Sequence, residues 1–154
     1  MSGNVPNWTE EDIYLVANHA YALYREGQLK QAKIIFEGLL DIDPDHSYSL
    51  DALSAISFAL DRPQDCVEHS SHLLHSNPEH TEALARRCEA WLQLGRLEKA
   101  RNDLDRLKRL GARAHSGRLQ LRLDTFLHDS SLSPADTGSF DAQSHNMRAR
   151  EFDK

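Results

Sequence analysis

Between residues 29 and 42 the apolar side chains Ala32, Ile35, Phe36, Leu39 and Leu40 recur at steps of one and three. On a helix of 3.6 residues per turn that spacing makes a single apolar stripe. A similar segment precedes it. Thr9 is placed as its N-cap, with Asp12 three residues on to complete a capping box. Gly27 ends this first helix, because glycine takes the left-handed C′ conformation without strain. Asp43-Pro44-Asp45 ends the second, since proline disfavours helix in the residue before it. The unit is therefore helix, short turn, helix.

The unit recurs at a step of 34. Gly27, Asp61 and Gly95 obey it, as do Ala32, Cys66 and Ala100; Val16, Leu50 and Leu84; Leu39, Leu73 and Leu107; and Pro44 and Pro78. Ala20, Ser54 and Cys88 keep one further position small. Small residues at Ala20 and Ala32 let the paired helices approach closely, and Leu23, Phe36 and Leu39 fill the space toward the next unit. A single hairpin leaves its stripe uncovered, so at least three must stack. Three are present, at about 13–46, 47–80 and 81–112. The second departs most from the others: Asp61 stands at the turn glycine, Pro63 enters the next helix at its first turn, and Ser70 replaces a large residue. Beyond Gly111, Leu119, Leu123, Phe126 and Leu127 share one helical face, and Arg118 and Arg122 lie opposite. This predicts a capping helix over 113–127. Residues 1–8 are expected to be a flexible arm preceding a domain over 9–127. Residues 128–154 are polar and poor in large apolar side chains, and are expected to be disordered.

Tyr21-to-Pro44, YALYREGQLKQAKIIFEGLLDIDP, resembles the tetratricopeptide repeat (TPR) in its ordered glycine, alanine, aromatic and proline. CEAWLQLGRLEKARNDLDRL of the third unit resembles it in the glycine and alanine, with Trp91 in an aromatic slot. The resemblance implies an all-α, right-handed superhelical solenoid of three helix-turn-helix repeats plus the capping helix. It also implies that the first helix of each repeat lines a concave groove. Read through the register, the residues facing that groove are Tyr14, Asn18, Tyr21 and Tyr24 from the first repeat. The second contributes Tyr48, Ala52, Ala55 and Phe58, and the third Ala85, Arg86 and Leu92. All four tyrosines of the chain fall in this set. Aromatic rings beside alanine gaps make pockets for apolar anchors, and each tyrosine adds a hydroxyl for a peptide carbonyl. A TPR groove that clamps a free carboxylate needs lysines and asparagines at fixed places. Only Asn18 and Arg86 match that set, so a clamp is not expected.

Within the TPR proteins, residues 12–127 resemble the class II chaperones of bacterial type III secretion, which hold hydrophobic translocator subunits before export. The similarity lies in LYREGQLKQAKIIFEGLLDIDP and RCEAWLQLGRLEKARNDLDRL. It implies a partner polypeptide with an extended hydrophobic segment, cradled by Tyr14, Tyr21, Tyr24, Tyr48 and Phe58, and a weak homodimer through the N-terminal helices. The alternative is an adaptor or scaffold that bridges folded proteins through its outer faces or tail.

Composition narrows the remaining chemistry. No stretch approaches the roughly 18 apolar residues of a membrane span. The opening dozen residues lack a basic and then apolar leader, so a cytoplasmic location is expected. The net charge of -6 is unevenly spread: residues 1–80 carry 4 basic and 13 acidic side chains, residues 81–127 carry 11 and 6. The basic stretch is short and little interleaved with aromatics, which disfavours nucleic acid. His69, His72 and His75 are spaced to spread around a helix, not to converge on a metal. Cys66 and Cys88 occupy small-residue packing positions. No phosphate loop or nucleophile motif stands out. The expectation is therefore a binding protein without catalysis, metal or cofactor.

Overall fold

The computed structural model describes residues 7–130. The seven helices are α1 (Glu10–Arg25), α2 (Leu29–Ile42), α3 (Ser47–Ala59), α4 (Pro63–Ser76), α5 (Thr81–Gln93), α6 (Leu97–Arg109) and α7 (Arg113–Ser130), with no strand among the described residues. The expectations of a flexible arm and a disordered tail fall largely on residues 1–6 and 131–154, outside the described residues. At the junction, α7 continues past 127 to Ser130.

Thr9 caps α1 reciprocally. The Asp12 N–H donates to Thr9 Oγ1 at 3.1 Å, and the Thr9 N–H donates to Asp12 Oδ2 at 2.9 Å. The Thr9 hydroxyl, which donates to Asp12 Oδ2 at 2.7 Å, and then the Thr9 N–H hold the Asp12 carboxyl below its ordinary range. The turns inside the hairpins are built alike. Gly27 donates to Tyr24 O and Gln28 to Leu23 O; Asp61 donates to Phe58 O and Arg62 to Ser57 O; Gly95 donates to Leu92 O and Arg96 to Trp91 O. Each is a Schellman closure through a left-handed residue. Gly27 has φ 79°, Gly95 has φ 69°, and Asp61 adopts the same conformation at φ 56° despite its side chain.

Consecutive helices pack as pairs, and the second-neighbour contacts are selective. α1 touches α3, α3 touches α5 and α5 touches α7, while α2, α4 and α6 do not touch one another. The odd-numbered helices therefore form the tight inner layer of a curved stack, and the even-numbered ones splay on its outside. Ala20, Ala32, Cys66, Cys88 and Ala100 are fully or almost fully buried where paired helices meet, and Leu39, Leu73 and Leu107 repeat as core leucines. At Ser70, where the first and third repeats have Phe36 and Leu104, the serine is buried against the Cys66 thiol. The adjoining Cys66–Val67–Ala90 cluster is covered instead by Phe58, Trp91 and Leu94.

One ionic lock crosses three helices. Arg87 on α5 grips Asp103 on α6 through Nε at 2.8 Å and Nη2 at 2.6 Å, and its Nη1 donates to Ser71 Oγ on α4 at 3.0 Å. Asp103 is buried, so removing the guanidinium leaves an uncompensated charge in the interior. Arg87→Ala is expected to cost about 3–5 kcal/mol, and Arg87→Met with Asp103→Leu to recover most of it, in urea unfolding. At the second turn, Asp61→Gly should be neutral to stabilising. Asp61→Val should lose about 1–2 kcal/mol, because a branched side chain resists the left-handed conformation; thermal unfolding of both variants checks this.

Candidate functional site

The inner layer brings the predicted aromatics together on α1 and α3. Tyr14, Tyr21 and Tyr48 remain 65, 43 and 42 % exposed, respectively. The rings of Tyr24, Tyr21 and Tyr48 form a ladder across the helix boundary: Tyr21 lies 6.1 Å from Tyr24 on one side and 6.1 Å from Tyr48 on the other. Tyr48 meets the buried Phe36 edge-on at 6.0 Å and His46 at 6.4 Å. The ladder is thus anchored to the core, with its outer surface open. Burial, and then the neighbouring Tyr21, pushes the Tyr48 hydroxyl above its ordinary value, so it stays a protonated donor. Beside it is a cleft of about 560 Å³ lined by Glu10, Ile13, Tyr14, Ala17, Asn18, Asp43, His46 and Tyr48. Asn18 is exposed at this cleft, where Glu10, Asp43 and His46 also bring polar groups to the walls beside Ile13, Ala17 and the two tyrosines. Ala52 and Ala55 are half-buried on α3.

Four of the residues read as groove-facing sit differently. Leu92 is 0 % exposed in the main core cluster and Ala85 is buried with it, so neither is available to a partner. Tyr24 and Phe58 are half-buried and pack on core clusters, Tyr24 against that of the first two repeats and Phe58 against Cys66, Val67 and Ala90. Tyr24, Phe58 and Leu92 share one register position, three residues beyond Tyr21, Ala55 and Glu89. That offset turns the side chain toward the flank covered by the adjoining repeat. Ala85 shares the register of the buried Ala17.

The α5 end of the layer is ionic. Arg86 pairs with Asp51 of α3, and His80 Nε2 lies 3.8 Å from the same carboxylate. Glu89 pairs with Arg122 and stands 3.7 Å from Arg118, both on α7. Arg118 and Arg122 had been assigned to an outward polar face; instead they meet the inner layer. The reason is a shorter last unit. α6 has 13 residues where α4 has 14, and three residues join α6 to α7 where four join α4 to α5, so Arg118 falls at the register of Arg86 after a step of 32 in place of 34. Counting that step in the sequence would have found it; the pairing partners had no local signal.

The other chemical candidates are occupied by structure. His72 Nε2 meets Asp45 at 2.8 Å, and burial lowers the pKa of His69. No group of three or more histidines, cysteines or carboxylates is arranged for a metal among the described residues. Cys88 donates to Ala100 O at 3.2 Å, and burial pushes its thiol up to about 12. Burial also raises Cys66. Neither is a thiolate nucleophile at neutral pH. No helix among the described residues is long and apolar enough to cross a membrane.

No protein-family model matches the chain, and comparison with curated proteins finds no match. Among solved structures it is similar to the Yersinia enterocolitica type III secretion translocator chaperone SycD. The identity is 17 %, over 84 % of this chain and 92 % of SycD, with a TM-score of 0.72; SycD has also been solved with a peptide of the translocator YopD. It is similar to PcrH in complex with the chaperone binding region of PopD, at 18 % identity over 82 % of this chain and 99 % of PcrH, with a TM-score of 0.72; PcrH is from Pseudomonas aeruginosa. A tetratricopeptide repeat protein from Parabacteroides merdae matches at 22 % identity over 80 % of this chain and 49 % of that one, with a TM-score of 0.73. These likenesses establish the fold: a solenoid of tetratricopeptide-type helical hairpins.

Proposed function

We propose that this chain is a cytosolic chaperone that holds a hydrophobic, extended segment of a client protein along its inner helices, and performs no chemistry of its own. The observation that carries the reading is the set of exposed tyrosines, Tyr14, Tyr21 and Tyr48, at and beside an open cleft on an otherwise close-packed layer. Large exposed rings rimmed by polar groups mark interaction sites. Tyrosine gives wide contact with little side-chain entropy to lose. The likeness to SycD and PcrH, solved with segments of YopD and PopD, supports a translocator-type client. SycD has been solved in an alternative dimer form, which supports a weak homodimer here. Of the two residues that match the clamp set, Arg86 is already paired with Asp51, which leaves Asn18 and argues against the clamp.

The test is co-purification of the tagged chain from its own cells, repeated with Tyr14→Ala/Tyr21→Ala. Both residues are exposed and neither belongs to a core cluster, so the variant should keep its helical content and most of its melting temperature. One client with an apolar segment should be captured by the wild type and lost by the variant, each anchor costing about 2 kcal/mol or more. Several soluble partners retained equally by the variant would contradict the groove and favour an adaptor binding through the outer helices.

A further inference from the structure

The inner layer does not end at α5. Glu89 is a nearly buried carboxylate, its side chain 11 % exposed, and α7 brings it two guanidiniums. Arg122 takes the close ion pair. Arg118, at 3.7 Å and with 64 % of its side chain exposed, makes an ionic contact too long for a hydrogen bond. Its donors are therefore largely unspent. Three residues on, on the same helix face, Leu121 is 70 % exposed, the most open of the large hydrophobic residues among those described. A terminal cap has no need of a bare leucine next to an under-used arginine on the side that meets the inner layer. On the same wall, the Nε–H of Arg86 is buried without an acceptor among the described residues. The acids nearby are committed. Asp51 holds Arg86, Glu89 holds Arg122, and Glu82 in the first turn of α5 accepts from Thr81 and faces His80 and His115.

From this juxtaposition we infer that α7 is the far wall of the client groove, and that the client segment carries an acidic residue beside an apolar one. Arg118 takes the carboxylate and Leu121 the apolar side chain, while further apolar anchors lie on the tyrosine ladder. Guanidinium is suited to this, since its planar fork binds a carboxylate through two parallel hydrogen bonds. The inference rests on the groove reading of the preceding section and adds the chemistry of the occupant: aromatic-seated apolar anchors at one end, a charged contact at the other.

The experiment is an array of short immobilised peptides of systematically varied sequence, probed with the full chain and with Arg118→Gln, Arg118→Lys and Tyr14→Ala/Tyr21→Ala. The wild type should select peptides that combine apolar anchors with Asp or Glu toward one end. Arg118→Gln should remove the acidic preference, lowering affinity for those peptides about tenfold while the apolar preference stays. Arg118→Lys should keep part of the acidic preference, and added salt should mimic Arg118→Gln. The tyrosine variant should lose the apolar selection. An apolar preference with no acidic preference, or an acidic preference unchanged in Arg118→Gln, overturns this inference and leaves the groove intact. No apolar preference in the wild type overturns the groove reading and this inference together.

Discussion

A helical hairpin of this size has an apolar stripe that its own partner helix only half covers. Everything else in the molecule follows from covering the remainder with the next hairpin. The small residues at Ala20, Ala32, Cys66, Cys88 and Ala100 set how closely paired helices approach, and all are buried. Leu39, Leu73 and Leu107 then span the gap between units. Because the odd-numbered helices touch their second neighbours and the even-numbered ones do not, the stack bends. The bend creates a surface that no helix of the stack covers, and the chain places Tyr14, Tyr21 and Tyr48 there.

The same constraint explains why the inner layer is not uniform. Toward α1 the surface is aromatic and rests on Phe36. Toward α5 and α7 it is ionic, with Asp51–Arg86 and Glu89–Arg122 pairs bridging successive inner helices. Partly buried charges must be paired to be tolerated, so these bridges also fix the spacing of the inner layer. The Arg87–Asp103 lock plays the matching part on the outer side of the third repeat, where it ties α4, α5 and α6 together. An extended segment along the inner layer therefore passes from ring faces to guanidiniums.

The fold was legible because its determinants are local and periodic. Gly27, Asp61 and Gly95 were aligned by the step of 34 alone, and all three close their turns in the left-handed conformation. Asp61 shows that the step outweighs residue type. The site was legible in part. Tyr14, Asn18, Tyr21 and Tyr48 stand open, but Leu92 and Ala85 are core, and Tyr24 and Phe58 lean on it. For Tyr24, Phe58 and Leu92 the difference is about 60° of azimuth, the three-residue offset on a helix of 3.6 residues per turn, and the twist between repeats decides which side of it is covered; no single helix encodes that twist. That Arg118 meets the inner layer was missed because α6 and the link after it are each one residue shorter than α4 and its link, which shifts the register of α7 by two. The ion pairs join residues far apart in sequence, so their partners emerge only once the hairpins are stacked.

The most direct test of the central claim is to ask which face of the solenoid touches the client. A photo-crosslinking phenylalanine derivative would be placed at Tyr21 on the inner layer and, separately, at Ile34, an exposed residue of the outer helix α2. After irradiation in the native cells, adducts would be identified by mass spectrometry. Crosslinking of one client through position 21, to an apolar segment, and none through position 34, is the predicted result. Client adducts formed through position 34 and absent at position 21 would contradict the account.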